Sequence, residues 1–265
     1  MTSFRRRIVV GDLHGNERGL DALLADVAYV PGKDRLIFVG DYNDQPPGAG
    51  GSVQLLLDRL LALQQADPDG VVFVRGNHDQ MFADWLSGSG PPDVSWLWQG
   101  GDATLESYGI TGEENRWDQA LVPPEHRDFI TGVPLPYFCD AELVVVHAGF
   151  RTAEQMAAVA AGRPIRPGDL HDLMWDREFI FAEDAGTHGL FEETLGDRYL
   201  VAGHSPRGPW VNPRNRKWLL VDSPGKGEQL CAAVITGPDS YDFHCVTNSP
   251  DRRPARRRTQ SIPLT

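Results

Sequence analysis

Five stretches decide the fold: IVVGDLHGN at 8–16, LIFVGDYND at 36–44, VVFVRGNHD at 71–79, LVVVHAGF at 143–150 and YLVAGHS at 199–205. Each is a short, largely β-branched run beside a small residue, the pattern of a buried strand. Each then delivers residues able to bind metal: Asp12 and His14, Asp41, Asn77, His147 and His204. Side chains presented in this way at the carboxyl ends of strands collect in the crevice where open α/β sheets hold their ligands. Glycine at a strand exit lets the backbone turn sharply and come close to an ion. Aspartate and asparagine oxygens mixed with imidazoles suit manganese, iron or zinc better than calcium, which takes all-oxygen shells. Asp41 stands between two such clusters and is the candidate bridge between two ions.

The segments between these runs carry helical spacing. Leu20, Leu23, Leu24 and Val27 follow Asn16, a good cap residue, and predict a helix behind the first strand. Val53, Leu56, Leu57, Leu60 and Leu63 predict a second before the third strand. Strand, helix, strand, helix, strand is the start of an α/β sandwich. Near the carboxyl end KWLLVDS (217–223), QLCAAVITG (229–237) and DFHCVT (242–247) read as strands, expected to lie side by side, largely antiparallel, and to close the second sheet.

Residues 80–136 break the alternation. They carry no strand ending in a ligand; Trp85, Trp96 and Trp98 lie among Gly and Pro, and a proline-led helix is expected around 124–129. Aromatic residues in such a segment are more often core than a substrate platform. The remaining histidines, His126, His171, His188 and His244, are read as surface, cap or packing residues, with His171 of interest for its place six residues before Arg177.

A chain of 265 residues accommodates one large α/β domain, taken as 1–249, followed by a basic tail at 250–265. The net charge is −12, yet the tail holds five arginines against one aspartate. An acidic body argues against general nucleic-acid binding, which needs a basic footprint. The tail, rich in Arg and Pro, is expected to be disordered or to dock on an acidic surface, its own or a partner's. The three cysteines, Cys139, Cys231 and Cys245, show no CxxC spacing and are read as small buried hydrophobes in a reducing cytoplasm. MTSFRRRIVV at the amino end is too short in apolar residues for a signal peptide or a membrane helix, so the expected location is the cytoplasm.

The motif set GDLHG (11–15), GDYNDQ (40–45), GNHD (76–79), HAG (147–149) and GHS (203–205) resembles the calcineurin-like metallophosphoesterases. Within them it is similar to the phosphoprotein phosphatase branch with its bacterial, phage and dinucleoside-tetraphosphatase relatives. The resemblance implies a four-layer αββα sandwich with a helical and loop cap at about 80–136 that walls the site and sets substrate choice. It implies two divalent metal ions, manganese first, with iron or zinc as alternatives. Asp12, His14 and Asp41 would hold one ion, and Asp41, Asn77, His147 and His204 the other. His78 would be the general acid, Asp44 the carboxylate that orients it, and Arg177, in LMWDRE, an arginine that clamps phosphate beside Asn77 and Gln45. Asp222, at the end of another strand-like run, would cap a turn or support the site.

One motif departs from the family. Where its second motif usually reads Asp-Arg-Gly, this chain has Asp44, Gln45 and Pro46. Gln45 offers a neutral hydrogen bond in place of a bidentate, charge-assisted pair. A charged bond is worth about 1.5 to 3 kcal/mol and a neutral one about 1, so the change would cost roughly tenfold in rate unless Arg151 or Arg207 supplies the charge. Three functions stay open. The first is a phosphomonoesterase acting on phosphoserine, phosphothreonine or small phosphate esters by direct attack of a metal-bridging hydroxide. The second is a hydrolase of dinucleoside polyphosphates of the diadenosine tetraphosphate type. The third is a module that senses phosphate or metal without catalysis, against which the intact His78 and Asp44 argue. The nuclease and cyclic-nucleotide branch, marked by GHxH, is disfavoured because Pro206 follows Ser205.

Overall fold

The computed structural model describes residues 4–44, 51–88, 94–222 and 229–247. Its elements run β1 (Arg6–Val10), α1 (Glu17–Asp26), β2 (Asp34–Phe38), α2 (Val53–Ala66), β3 (Val71–Phe73) and α3 (Asn77–Ser87). The short helices α4 (Val94–Trp96) and α5 (Asp102–Ser107) flank a π-type turn at Leu97–Gly101, and α6 (Pro124–Gly132) follows. Then come β4 (Phe138–Cys139), β5 (Leu143–Val145), α7 (Ala153–Ala160), α8 (Pro167–Trp175), α9 (Ala185–Leu195), β6 (Tyr199–Ala202), β7 (Trp210–Val211), β8 (Trp218–Leu220), β9 (Gln229–Gly237) and β10 (Ser240–Thr247).

Two five-stranded sheets result, ordered β10-β9-β1-β2-β3 and β4-β5-β6-β8-β7. The side-chain period of two decides how they stack. Val9, Ile37 and Val39 from the first sheet meet Leu143, Val145, Val201 and Leu219 from the second in one buried cluster. The alternate residues face outward under helices. Ile8, Val10, Leu36 and Phe38 pack on Leu20, Leu23, Leu56, Leu57 and Leu60. Val144, Leu200 and Leu220 pack on Met156, Val159, Leu173 and Phe191. The layers are therefore helix, sheet, sheet, helix, as expected. Both predicted helices form with the predicted faces buried, and their caps are side chains: Asn16 accepts from the Gly19 N–H at 2.8 Å and Ser52 from the Leu55 N–H at 3.3 Å.

The carboxyl-terminal strands correct the sequence reading. β8 does join the second sheet, but parallel to β6, whereas the β9–β10 hairpin joins the first sheet, with β9 antiparallel to β1. A strand buried on both faces fits either sheet by pattern alone. Ala233 and Ile235 of β9 enter the space between the sheets, while Leu230, Ala232 and Val234 lie in the outer core that α1 covers. The hairpin register sets Cys231 opposite Cys245, and the two form a disulfide. The cysteines are thus not all unpaired small hydrophobes. Only Cys139 is free among the described residues, and the cysteines no longer point to a reducing compartment. No helix is long and apolar enough to cross a membrane among the described residues.

Residues 80–136 hold helices and turns among the described residues, with no strand. Trp85 and Trp96 are buried in the same core as β1–β3, and Trp98 is exposed. Arg75 ties β3 to α6 by donating to the Ile130 and Thr131 carbonyls at 3.0 and 3.1 Å.

The start of β2 is pinned by charge. Asp34, wholly buried, accepts from Arg5, Arg6 and the Val30 N–H. Burial alone would raise its carboxyl, but the arginine hydrogen bonds outweigh burial and bring it down to about 2. A depressed folded-state value contributes stability that is complete above the ordinary carboxylate value and is lost as pH falls through about 2. Urea midpoints measured from pH 5 to about 2 should therefore fall more steeply for the wild type than for Asp34→Asn, which lacks this titration. Parallel curves would remove Asp34 from the acid response.

Candidate metal centre

Four of the five non-glycine residues with positive φ among the described residues are His14 (43°), Asp41 (55°), Asp44 (64°) and His204 (65°). All four are predicted site residues. Such backbone costs about 1 to 3 kcal/mol per residue, and it persists only where the surroundings fix it. Here the loops fix one another. The Leu13 and His14 N–H groups donate to the Asp41 carbonyl at 3.0 and 2.8 Å, and the Gly15 N–H to the Tyr42 carbonyl at 3.0 Å. Asp79, fully buried, accepts from the N–H groups of Asp41, Tyr42 and Gly76 at 2.7 to 2.8 Å. Gly76 is required because a Cβ there would collide with the Asp41 carboxylate, and Gly203 because a Cβ would collide with that of Asp12.

The predicted ligands converge at the strand ends. His14, Asp41 and His78 form one potential ion-binding group and Asp41, His147 and His204 another, each with ligand atoms within 4.8 Å of one another. Asp41 belongs to both. Its Oδ2 lies 3.7 Å from His14 Nε2 and 3.4 Å from His147 Nε2. Asn77 joins the second group through Oδ1, 3.0 Å from His147 Nε2. Asp12 lies outside these two tight groups, its carboxylate accepting the His204 N–H at 3.0 Å.

The ring nitrogens are prepared for cations. Nδ1 of His14 meets the Asn43 carbonyl and Nδ1 of His147 the Val39 carbonyl, each at 2.9 Å, which orients Nε2 toward Asp41. His204 Nε2 is buried without a hydrogen-bond partner, and burial lowers its ring to about 2, so the imidazole is neutral. A neutral ring with an orphaned lone pair is what a metal ligand requires. Charge completes the fit. Burial and the neighbouring Asp222 push the Asp12 carboxyl well up. Burial would lower His147, but the Asp41 charge outweighs it and raises His147 to about 10. The cluster of Asp12, Asp41 and Asp222 therefore stabilises added positive charge, and the donor set fits the two cations proposed from sequence.

Beside the ligands, His78 Nδ1 is 2.7 Å from Asp44 Oδ2, with both side chains buried. The pairing expected from the motifs is present. Arg177 reaches the same crevice by donating from Nη1 to the His204 carbonyl at 3.0 Å. Trp175 sets its edge against His204, and His171 stacks on Trp175 at 5.8 Å. The two arginines considered as substitutes are engaged elsewhere: Arg151 faces Asp172 and Asp176, and Arg207 lies over the Phe181 ring. Gln45 lies outside the described residues, as does the tail at 250–265. Of the other histidines, His126 joins Tyr108 and Asp58, His188 packs on Trp218, and His244 pairs with Asp26.

Sequence reasoning missed three partners. Asp79 was visible as the last letter of GNHD, without its task of holding the Asp41 loop. Trp96 and Thr104, which hydrogen-bond Asp44, lie 52 and 60 residues beyond it and carry no local signal.

The family model described as Calcineurin-like phosphoesterase matches residues 5–224, and the chain belongs to that family. It is a hydrolase acting on phosphate esters, in a family that uses a dinuclear divalent metal centre. It is 28% identical over 209 residues to serine/threonine-protein phosphatase 1 of Salmonella typhimurium (strain LT2), a match that covers 77% of this chain and 80% of that protein. It is 24% identical over 225 residues to serine/threonine-protein phosphatase 2 of Escherichia coli (strain K12), covering 84% and 90%. Among solved structures, a Saccharomyces cerevisiae protein serine/threonine phosphatase with similarity to human phosphatase PP5 aligns with a TM-score of 0.58 at 17% identity, over 94% of this chain and 82% of that one. A candidate diadenosine tetraphosphatase aligns with a TM-score of 0.56 at 21% identity, over 92% and 95%.

Proposed function

We propose that this chain is a two-metal phosphomonoesterase acting on phosphoserine, phosphothreonine or small phosphate esters. The observation that carries the reading is Asp41, shared by two ligand groups with the His78–Asp44 pair alongside. Asp12, His14 and Asp41 would hold one cation, and Asp41, Asn77, His147 and His204 the other. Bound there, two divalent ions supply the Lewis acidity that activates water and offsets phosphate charge. The chain's own residues do the rest. Arg177, anchored through one nitrogen on the His204 carbonyl, directs its remaining donors to phosphate oxygens, and the Asn77 amide would add a further contact. Asp44 fixes the His78 ring through Nδ1, so that a proton held at Nε2 passes to the leaving oxygen. No covalent enzyme intermediate is needed. In this reading residues 1–249 form the catalytic domain, the segment at about 80–136 walls the crevice, and the tail at 250–265 is available to an acidic partner.

The neutral Gln45 in the second motif favours a second reading, hydrolysis of a dinucleoside polyphosphate, in which a larger substrate replaces the contact that arginine makes. The bacterial phosphatase relatives and their coverage support the first reading. The experiment is release of phosphate or nucleotide by the metal-stripped full chain, with and without manganese, from a phosphopeptide, an aryl phosphate and diadenosine tetraphosphate. Manganese-dependent release of phosphate from the phosphopeptide is the expected result. Preference for diadenosine tetraphosphate selects the second reading, and inactivity with two ions bound removes both.

A further inference from the structure

We propose that the segment from Trp96 to Thr104 is a positioning element for the acid, built to fix the His78–Asp44 pair. This inference rests on the reading of His78 as the proton donor. The Asp44 carboxylate is fully buried and takes three donors. Oδ2 accepts from His78 Nδ1 and from Trp96 Nε1, each at 2.7 Å, and Oδ1 accepts the Thr104 hydroxyl at 2.7 Å. The Asp44 N–H in turn donates to the Thr104 hydroxyl at 2.9 Å. Thr104 thus holds both the backbone and the carboxylate of a residue kept at φ 64°.

The path of the chain serves these contacts. Gly100 has φ 115° and breaks the helical run between α4 and α5. It lies against the Asp44 backbone so closely that a Cβ would come within 2.9 Å of the Asp44 carbonyl carbon. The break lets Trp96 and Thr104, on separate short helices, reach the two oxygens of one carboxylate. The indole is itself located by α3, stacking on Phe82 at 5.7 Å and 19°. Phe82 is four residues after His78, so one face of one helix carries both the acid and the ring that seats Trp96. Trp96 N–H and His78 Nδ1 share one oxygen, so losing the indole donor alters the bond that orients the imidazole. Trp96 and Thr104 act through Asp44 and touch no reacting atom.

The test is steady-state turnover of the manganese-loaded full chain across aryl and alkyl phosphates of rising leaving-group pKa. The proteins are wild type, His78→Asn, Trp96→Phe, Thr104→Val and Thr104→Ser, each with metal content measured. Trp96→Phe keeps the stacking surface, and Thr104→Val keeps the shape. Both should retain two ions and slow the alkyl phosphate at least about tenfold more than the aryl phosphate, in the direction of His78→Asn, while Thr104→Ser restores the wild-type pattern. If His78→Asn shows the leaving-group dependence and either Trp96→Phe or Thr104→Val slows all esters alike or not at all, this inference fails and the acid assignment stands. If Thr104→Val does not fold, Trp96→Phe alone decides on the same criterion. If His78→Asn itself shows no such dependence, or the wild type hydrolyses none of the esters, the acid assignment and this inference fall together.

Discussion

Asp41→Asn is expected to abolish turnover and leave the purified protein with fewer than two bound ions. The substitution is nearly isosteric, so the fold should survive it. The asparagine side chain would still present an oxygen to the His78 N–H, which donates to Asp41 Oδ1 at 3.0 Å, and the backbone at φ 55° would still be held by Asp79. What disappears is the one negative charge common to both ligand groups. The histidines His14, His147 and His204 would remain without the carboxylate they surround. Losing a shared anionic ligand removes several kcal/mol of cation binding, and about 4 kcal/mol corresponds to roughly a thousandfold in metal affinity. Metal content by mass spectrometry, near-ultraviolet circular dichroism and turnover of an aryl phosphate check the three parts of this expectation. Retention of two ions with near wild-type turnover would show that Asp41 does not bridge.

The candidate ligands were legible in the sequence because each stands within a few residues of the strand that delivers it. Val10 to His14 and Phe38 to Asp41 are short enough that β periodicity predicts where the side chains emerge. The helices α1 and α2 were legible for the same reason, each having a cap residue and an apolar stripe in one continuous window. What failed depended on distant partners. The run at 229–237 is buried on both faces, so its pattern fits either sheet, and only the pairing of Val9 with Ala233 settles the matter. The Cys231–Cys245 bond follows from that hairpin's register and not from cysteine spacing. The Trp96 and Thr104 contacts with Asp44 depend on a helix break at Gly100, where the aromatic residues looked like any core segment. Family resemblance supplied the proposed roles of His78 and Asp44; residue pattern alone would have left His78 as one more histidine beside Asn77.

His78→Asn is expected to keep both ions and to lower turnover by about 10² to 10⁴-fold, the range typical of a positioned general acid. The ligand atoms of the second group do not depend on the His78 ring: His147 is set by Val39 and Asn77, and His204 by its N–H on Asp12. The first group is the stricter case, since His78 lies close to His14, their ring centroids 5.0 Å apart and nearly perpendicular. If His78 is a donor of protons and not of lone pairs, its loss leaves the metal content at two. The rate loss should then depend on the substrate. An alkyl oxygen leaves poorly without a proton and an aryl oxygen leaves well, so phosphoserine should suffer far more than 4-nitrophenyl phosphate. A fall in bound metal from two ions to one, with equal slowing on both esters, would instead make His78 a ligand of the first ion. That outcome would shift the acid to another group and turn Asp44 into an orienting partner of a metal-bound imidazole. The His78–Asp44 bond is common to both outcomes, so metal content and leaving-group dependence together decide between them. The His78 Nδ1 is already committed to Asp44 at 2.7 Å, and Asp44 is itself held by Trp96 and Thr104, an arrangement that spends three buried hydrogen bonds on the direction in which one ring points.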